Sequence, residues 1–153
     1  MLVFDSLIGS MDRHMQNWGL LATVGEPRQY RFAPIFDSAR ALLWNCNEDK
    51  LKVLRGHPEA LKGYINRSRP KIGSSSKGRA MSHFGLIEHL SDVYPESTLQ
   101  ALEKVHPKKV NEASRIVQEF PFSGMFTRER KDLISKVLET RAGMLLSIAQ
   151  GRR

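Results

Sequence analysis

The stretch "IGSMDRHMQNWGLL" (residues 8–21) places an aspartate, a histidine and an asparagine between two apolar segments. Asp12 precedes Asn17 by five positions, and Asp37 follows in a second stretch, "YRFAPIFDSARALLWN" (residues 30–45). Taken singly, these residues would be expected to cap turns, because Asp and Asn side chains readily bond to neighbouring backbone groups. Turn capping does not explain their joint order and spacing, which therefore point to a functional loop.

Two short apolar runs separate Asn17 from Asp37. The runs "WGLLATV" (18–24) and "QYRFAPIF" (29–36) flank a Gly-Glu-Pro turn, which is the pattern of a β-hairpin. A hairpin returns the chain to its starting point. We therefore expect it to bring Asp37 back beside the loop that carries Asn17.

The rest of the chain predicts helices. Residues 2–8 have the apolar spacing of a short helix face, and "HPEALKGYINRS" (57–68) has a proline suited to a first helical turn. Ser82 is placed to cap a further helix, and Thr127 to open a long one. We predict a mainly α domain spanning residues 1–153: a helical bundle with one small β-hairpin next to the loop.

Composition limits the class of protein. The 153 residues carry 24 Lys and Arg against 16 Asp and Glu, a formal net charge of +8. The basic residues are dispersed, which favours a solvated basic surface over a nucleic-acid interface. Cys46 is the single cysteine, so no internal disulfide can form, and no apolar run approaches the ~20 residues of a membrane span. We expect a cytoplasmic protein with no membrane partner.

The polar residues of the loop fit one chemistry. An Asp, an Asn five positions later and a second Asp after a hairpin is the order found in enzymes that transfer phosphoryl groups. In such enzymes the first Asp accepts or orients the proton of the attacking hydroxyl, and the other two residues hold Mg²⁺ against the phosphates of ATP. Hard cations prefer the oxygen ligands that Asp and Asn supply. The pattern predicts a catalytic Asp12, with Asn17 and Asp37 binding the metal and nucleotide.

The same residues carry a family resemblance. "VFDSLIGSMDRHMQNWGLL" (3–21), followed by residues 30–45, resembles the C-terminal lobe of HipA-like serine/threonine kinases, the toxin kinases of bacterial toxin–antitoxin systems. That family shows Leu-Ile-Gly, an Asp-x-His-x-x-Asn loop and Pro-x-x-Asp after a hairpin; phosphatidylinositol kinases share a related loop. The resemblance is sharp over residues 2–45, softer through "YINRSRPKIG" (64–73) and weak in the helical tail.

The resemblance implies roles for individual residues. Asp12 would be the catalytic base, Asn17 and Asp37 the magnesium ligands, and His14 a brace for the loop. ATP and Mg²⁺ are the implied cofactors, and the location is the bacterial cytosol. The implied partners are a protein substrate, which for related kinases is an aminoacyl-tRNA synthetase, and a helix-turn-helix antitoxin through which any contact with DNA would be indirect.

These kinases bind the phosphates of ATP with a loop and a lysine of an N-terminal lobe, and this chain begins just before the catalytic loop. "GSSSKG" (73–78) lacks the spacing to replace that lobe, and we interpret it as a flexible loop near the substrate cleft. The chain is then a fragment, a truncated product or half of a split kinase, inactive without an N-lobe or a separate partner that supplies one. Two alternatives are a non-catalytic lobe that binds an antitoxin or DNA, and an unrelated basic helical nucleic-acid binder.

Overall fold

The computed structural model describes residues 1–25, 27–72, 81–122, 124 and 126–151, and in these the chain is mainly helical. The helices are α1 (Leu2–Ile8), α2 (Glu48–Gly56), α3 (Pro58–Arg67), α4 (His83–Val93), α5 (Pro95–Leu102), α6 (Pro107–Glu119) and α7 (Arg128–Gln150). A 3₁₀ turn (Met15–Asn17) and two strands, β1 (Leu20–Ala22) and β2 (Tyr30–Phe32), complete it. The predicted mainly α fold with one small hairpin is confirmed. The loop predicted at 73–78 lies outside the described residues.

Local sequence signals place the helix starts. The Ser82 hydroxyl accepts a hydrogen bond from the Gly85 N–H at 3.0 Å, and the Thr127 hydroxyl accepts one from the Arg130 N–H at 3.3 Å. Each bond satisfies a backbone donor that the first helical turn leaves unpaired. Pro58 opens α3, where its missing N–H costs nothing. These three starts agree with the sequence.

Helix α7 forms the centre of the core and packs against α1, α2, α4, α5 and α6. It carries an apolar stripe that is buried along most of its length, and Met144 and Ile148 at its far end are half-buried. The buried members are Leu133, Ile134, Val137, Leu138, Ala142, Leu145 and Ala149. Full burial of one aliphatic side chain contributes about 1.5–3 kcal/mol, so this stripe anchors the bundle. Among the described residues, no helix has the length and apolar character that crossing a membrane requires.

One arginine of α7 lies inside the core. Arg141 donates from Nε to the Ser6 carbonyl at 2.6 Å and from Nη1 to the Ile65 carbonyl at 3.1 Å. Its guanidinium carbon lies 4.9 Å from the centre of the Phe84 ring. Burial lowers the pKa of Arg141 to about 10, because the cation loses its hydration. The side chain joins the ends of α1 and α3 to α7 at the point where the loop of residues 9–17 begins.

The hairpin stands outside this core. Its antiparallel register pairs Leu20 with Phe32 and Ala22 with Tyr30, and all six strand residues are exposed. The Trp18 ring meets the Phe32 ring edge-on, with centroids 6.4 Å apart. The strands therefore bury little apolar surface in the core. Their structural effect is to return the chain from Asn17 to the segment that carries Asp37.

The chain after the hairpin turns sharply before α2. Leu42 and Leu43 both have left-handed backbone angles, with φ of 48° and 65°. Arg130 holds this turn by donating to the carbonyls of Leu43 at 3.3 Å and Cys46 at 2.7 Å. Cys46 is buried, and burial raises the pKa of its thiol. The strained turn is thus fixed by a side chain of α7.

Candidate active site

The loop of residues 9–17 begins where α1 stops. Gly9 has φ of 66°, a left-handed conformation that ends the helix, and its N–H bonds to the Asp5 carbonyl. A Cβ added at Gly9 would lie 3.2 Å from the Arg141 guanidinium carbon and 3.3 Å from the Ser68 hydroxyl. Both the backbone angle and the close approach require glycine here, so the direction of the loop is fixed at its first residue.

Arg13 fixes the interior of the loop. Its fully buried guanidinium donates from Nε and Nη2 to the two carboxylate oxygens of Asp5, both at 2.9 Å. Nη1 donates to the carbonyls of Phe36 at 2.6 Å and Asn17 at 3.3 Å, and Nη2 also reaches the Ser38 hydroxyl at 3.2 Å. The hydrogen bonds that Arg13 donates to the Asp5 carboxylate raise the pKa of Arg13. One side chain therefore joins α1, the 3₁₀ turn and the segment around Asp37.

The 3₁₀ turn is closed by reciprocal side-chain bonds. The His14 ring accepts at Nδ1 from the Gln16 N–H at 3.3 Å, and the His14 N–H donates to Oδ1 of Asn17 at 3.0 Å. This arrangement is a capping box, which orients both side chains relative to the backbone. His14 thus braces the loop, as expected, and Asn17 is held with its amide group directed by the turn.

Asn17 and Asp37 are in direct contact. The amide Nδ2 of Asn17 donates to Oδ2 of Asp37, and Asp37 has φ of 54°, in the left-handed region that Asp tolerates better than most residues. The contact occupies one of the two carboxylate oxygens, and the His14 N–H occupies one lone pair of the Asn17 oxygen. The pair thus offers oxygen ligands from two segments at one point, which fits a hard cation that also binds phosphate oxygens.

Asp12 lies at the start of the loop and is held by a different set of side chains. Lys71 Nζ contacts its Oδ1, and Arg40 Nε lies 3.3 Å from its Oδ2. The hydrogen bond from Lys71 is the main cause that lowers the pKa of Asp12, assisted by the charges of Arg40 and His14 and opposed by partial loss of hydration. The lowered pKa keeps the carboxylate ionised at neutral pH, and the side chain is 20% exposed.

Arg40 is positioned from two sides. Its carbonyl accepts from the Met11 N–H at 2.9 Å, which places residue 40 beside residue 11. Its guanidinium carbon lies 5.2 Å from the centre of the Trp44 ring, within the range of a cation–π contact. The Trp44 side chain is itself 45% exposed, so it supports Arg40 at the protein surface.

Four residues that build this site were not predicted from the sequence: Asp5, Arg13, Arg40 and Lys71. Asp5 lies in the mostly apolar stretch "VFDSLI" (3–8), where a carboxylate is expected to be buried. A buried carboxylate needs a cationic partner, so Asp5 could have been recognised as one half of an ion pair. Arg13 lies within the quoted motif and could have been proposed as that partner. Arg40 and Lys71 carry no such signal, because their contacts with Asp12 depend on the tertiary fold.

Comparisons with known proteins bear on the fold. No protein-family model matches the chain. The chain is 24% identical, over 153 residues, to the serine/threonine-protein kinase CtkA of Helicobacter pylori strain J99, and the alignment covers 99% of this chain and 45% of that protein.

A solved structure is also similar to this chain over nearly its full length. The crystal structure of a proinflammatory kinase CtkA of Helicobacter pylori matches 99% of this chain and 53% of that chain, with a TM-score of 0.80 and 23% identity. This chain therefore spans about half the length of the relatives that it matches. It has the kinase-like helical fold of the corresponding part of CtkA.

Proposed function

We propose that this chain is the catalytic lobe of a HipA-like protein serine/threonine kinase, which transfers the γ-phosphate of ATP to a protein hydroxyl. The observation that carries the proposal is the contact between Asn17 and Asp37. The two predicted magnesium ligands come from separate segments and meet at one point. The similarity to the serine/threonine-protein kinase CtkA supports a kinase activity in general.

The site residues fit Mg²⁺ and ATP. Magnesium is commonly held by one or two carboxylates together with phosphate oxygens and water, and Asp37 and Asn17 supply such a partial ligand set. When bound, the ion would neutralise charge on the transferred phosphoryl group. Arg13 would keep the two ligands together, because it donates to the carbonyl of Asn17 and to that of Phe36, which precedes Asp37.

Asp12 would act on the substrate hydroxyl. It would orient that hydroxyl and accept its proton as the oxygen bonds to the γ-phosphorus and ADP departs. Its lowered pKa keeps the carboxylate ionised at neutral pH, so it is ready to accept the hydrogen bond of the hydroxyl. A weakly basic carboxylate suffices, because phosphoryl transfer depends mostly on positioning and electrostatic stabilisation.

We propose that an N-terminal lobe, in the same chain or as a partner, completes the active site. The hairpin supports this, because it exposes apolar side chains that a soluble domain normally covers: Leu20 is 64% exposed and Phe32 is 70% exposed. A two-stranded hairpin is also marginally stable without further packing. The matched relatives are about twice as long as this chain, which is consistent with a second lobe.

The wider biological role follows from the family resemblance. A HipA-like kinase acts as the toxin of a toxin–antitoxin pair, so the proposal includes a helix-turn-helix antitoxin as partner and a cytosolic protein as substrate. The competing function is a non-catalytic lobe that binds an antitoxin. The intact set of Asp12, Asn17 and Asp37 favours the kinase, since a binding module does not need all three side chains.

The decisive experiment compares the 153-residue chain with the same chain completed by an N-terminal lobe, using radiolabelled ATP and a serine-containing substrate. We expect negligible transfer by the chain alone and measurable transfer by the completed protein. Asp12→Ala should abolish that transfer, whereas Asp49→Ala, which removes an exposed carboxylate on α2, should not. Turnover by the chain alone would contradict the need for a second lobe, and no turnover after completion would favour the binding module.

A further inference from the structure

The loop of residues 9–17, the proposed catalytic loop, has no lysine or arginine side chain available to bind a substrate. Arg13 is the single Lys or Arg between Asp12 and Asn17. A guanidinium has five N–H donors, and those of Arg13 are directed to Asp5, Phe36, Asn17 and Ser38. Arg13 therefore cannot turn to a substrate without breaking the loop. Phosphoryl transfer nevertheless gains much of its rate from cations placed at the transferred group.

Lys71 supplies such a cation from another part of the chain. Its Nζ contacts Oδ1 of Asp12, and its side chain is 52% exposed. An ammonium has three donors, so the contact with Asp12 leaves two for a second anion. A group at this point lies next to the carboxylate that would orient the attacking hydroxyl.

The backbone before Lys71 is anchored, which separates this contact from a chance surface ion pair. Ser68 is buried and donates its hydroxyl to the Gly9 carbonyl at 3.1 Å, and Pro70 is also buried. The segment that carries Lys71 is therefore tied to the first residue of the catalytic loop. Exposed salt bridges usually contribute little, but here both ends of the contact are held by buried neighbours.

The second cation on Asp12 has a different position. Arg40 stacks on Trp44 and bonds through its backbone to Met11, so its guanidinium is held on one side of the carboxylate. The side chain of Lys71 has four flexible methylenes and lacks an aromatic partner of this kind among the described contacts. Of the two cations, Lys71 is the one suited to reach a substrate group.

We propose that Lys71 binds the transferred phosphoryl group and at the same time positions Asp12 beside it. The inference rests on the proposed kinase function and names a further residue of that site. Lys71 would bridge the carboxylate and the phosphoryl oxygens, offsetting the repulsion between these two anions. It would supply from within this lobe part of the positive charge that phosphoryl transfer requires.

A binding experiment on the 153-residue chain tests the phosphate contact without turnover. Magnesium tripolyphosphate is the probe, and its dissociation constant is measured by NMR with the side-chain signals of Lys71 and Asp12 assigned. We expect both signals to shift on titration and Lys71→Met to weaken binding about tenfold. The control Lys62→Met removes an exposed lysine of α3 and should change the constant less than about twofold.

An activity experiment on the chain completed by an N-terminal lobe tests the positioning of Asp12. We expect Lys71→Met to lower kcat about 100-fold with a smaller change in KM for ATP, and Lys71→Arg to recover part of the loss. Lys71→Met should also move the acidic limb of the pH profile to higher pH, because Arg40 and His14 alone would then stabilise the charged form of Asp12. Lys62→Met should leave the profile unchanged.

The two experiments separate the inference from the proposed function. If the completed wild-type protein transfers no phosphate, the kinase proposal fails, and the tripolyphosphate titration still decides whether Lys71 binds phosphate. The proposed role of Lys71 is wrong if Lys71→Met matches Lys62→Met in affinity for magnesium tripolyphosphate, in kcat and in pH profile. It is also wrong if the wild-type chain does not bind tripolyphosphate.

Discussion

The guanidinium of Arg13 donates two parallel hydrogen bonds to the carboxylate of Asp5, from Nε and Nη2, each 2.9 Å long. Both side chains are buried, so neither charge has water to compensate for loss of the other. The same guanidinium bonds to the backbone carbonyls of Asn17 and Phe36. The stability of the lobe and the geometry of its proposed metal ligands therefore depend on one ion pair.

Asp5→Ala should destabilise the protein by about 3–5 kcal/mol, because it leaves the Arg13 charge buried without a partner. The free energy of unfolding from urea titration measures this effect. Asp49→Ala is the control, since Asp49 pairs with Lys52 at 3.6 Å on an exposed helix face and should cost less than about 1 kcal/mol. Equal effects of the two substitutions would show that the buried pair does not support the fold.

Gly9→Ala should destabilise the protein by about 1–2 kcal/mol, because alanine resists a φ of 66° and its Cβ would approach Arg141. The matched control is Gly143→Ala in the interior of α7, where nothing lies within 4 Å of an added Cβ. That substitution should stabilise the helix by up to about 1 kcal/mol. Thermal unfolding of both variants should therefore move in opposite directions, and a shared direction would contradict the conformational argument.

His83 should make the protein less stable in mild acid. Burial and the charge of Arg141 lower its pKa from 6.5 to about 3. Below pH 6.5 the unfolded chain binds a proton at this histidine and the folded chain does not, so stability falls as the pH drops from 6.5 towards 3. Between pH 7 and pH 5 the expected loss from this group is about 2 kcal/mol.

Urea midpoints at pH 7 and pH 5 check the role of His83. His83→Gln should remove most of the difference between the two midpoints, since glutamine does not titrate. His57→Gln is the control, because His57 is exposed at the start of α3. An undiminished pH dependence in His83→Gln would assign the acid sensitivity to other groups.

The sequence predicted those features that depend on near neighbours. Ser82 and Thr127 cap helices because their hydroxyls reach N–H groups three residues on, and the hairpin returns the chain from Asn17 to Asp37 over a short turn. Spacing along the chain suffices for both. The contact between Asn17 and Asp37 is the longest-range feature that the pattern anticipated.

Contacts set by tertiary packing were not predictable from spacing. The dispersed basic residues were expected on a solvated surface. Arg130, in the basic group "RERK" (128–131), instead donates from its guanidinium to the carbonyls of Leu43 and Cys46. Lys71 approaches Asp12 because Ser68 fastens the end of α3 to Gly9. Neither partner can be identified before the helices are packed, so spacing along the chain does not predict these cationic contacts.

Asp37→Ala should weaken magnesium-dependent ATP binding by more than about tenfold in the chain completed by an N-terminal lobe, because it removes a charged oxygen ligand of the proposed metal site. Asn17→Ala should weaken it as well, by less, since an amide oxygen binds a hard cation less strongly than a carboxylate does. Calorimetric titration with ATP, with and without Mg²⁺, gives both constants.

Two comparisons make this test specific. Asp12→Ala should leave magnesium-dependent ATP binding within about twofold of wild type while abolishing transfer, because Asp12 is assigned to the substrate hydroxyl and not to the metal. Titration without Mg²⁺ should not distinguish Asp37→Ala from wild type, since the lost interaction runs through the ion. If Asp37→Ala binds Mg-ATP as tightly as wild type, then the contact between Asp37 and Asn17 is structural, and the metal lies elsewhere.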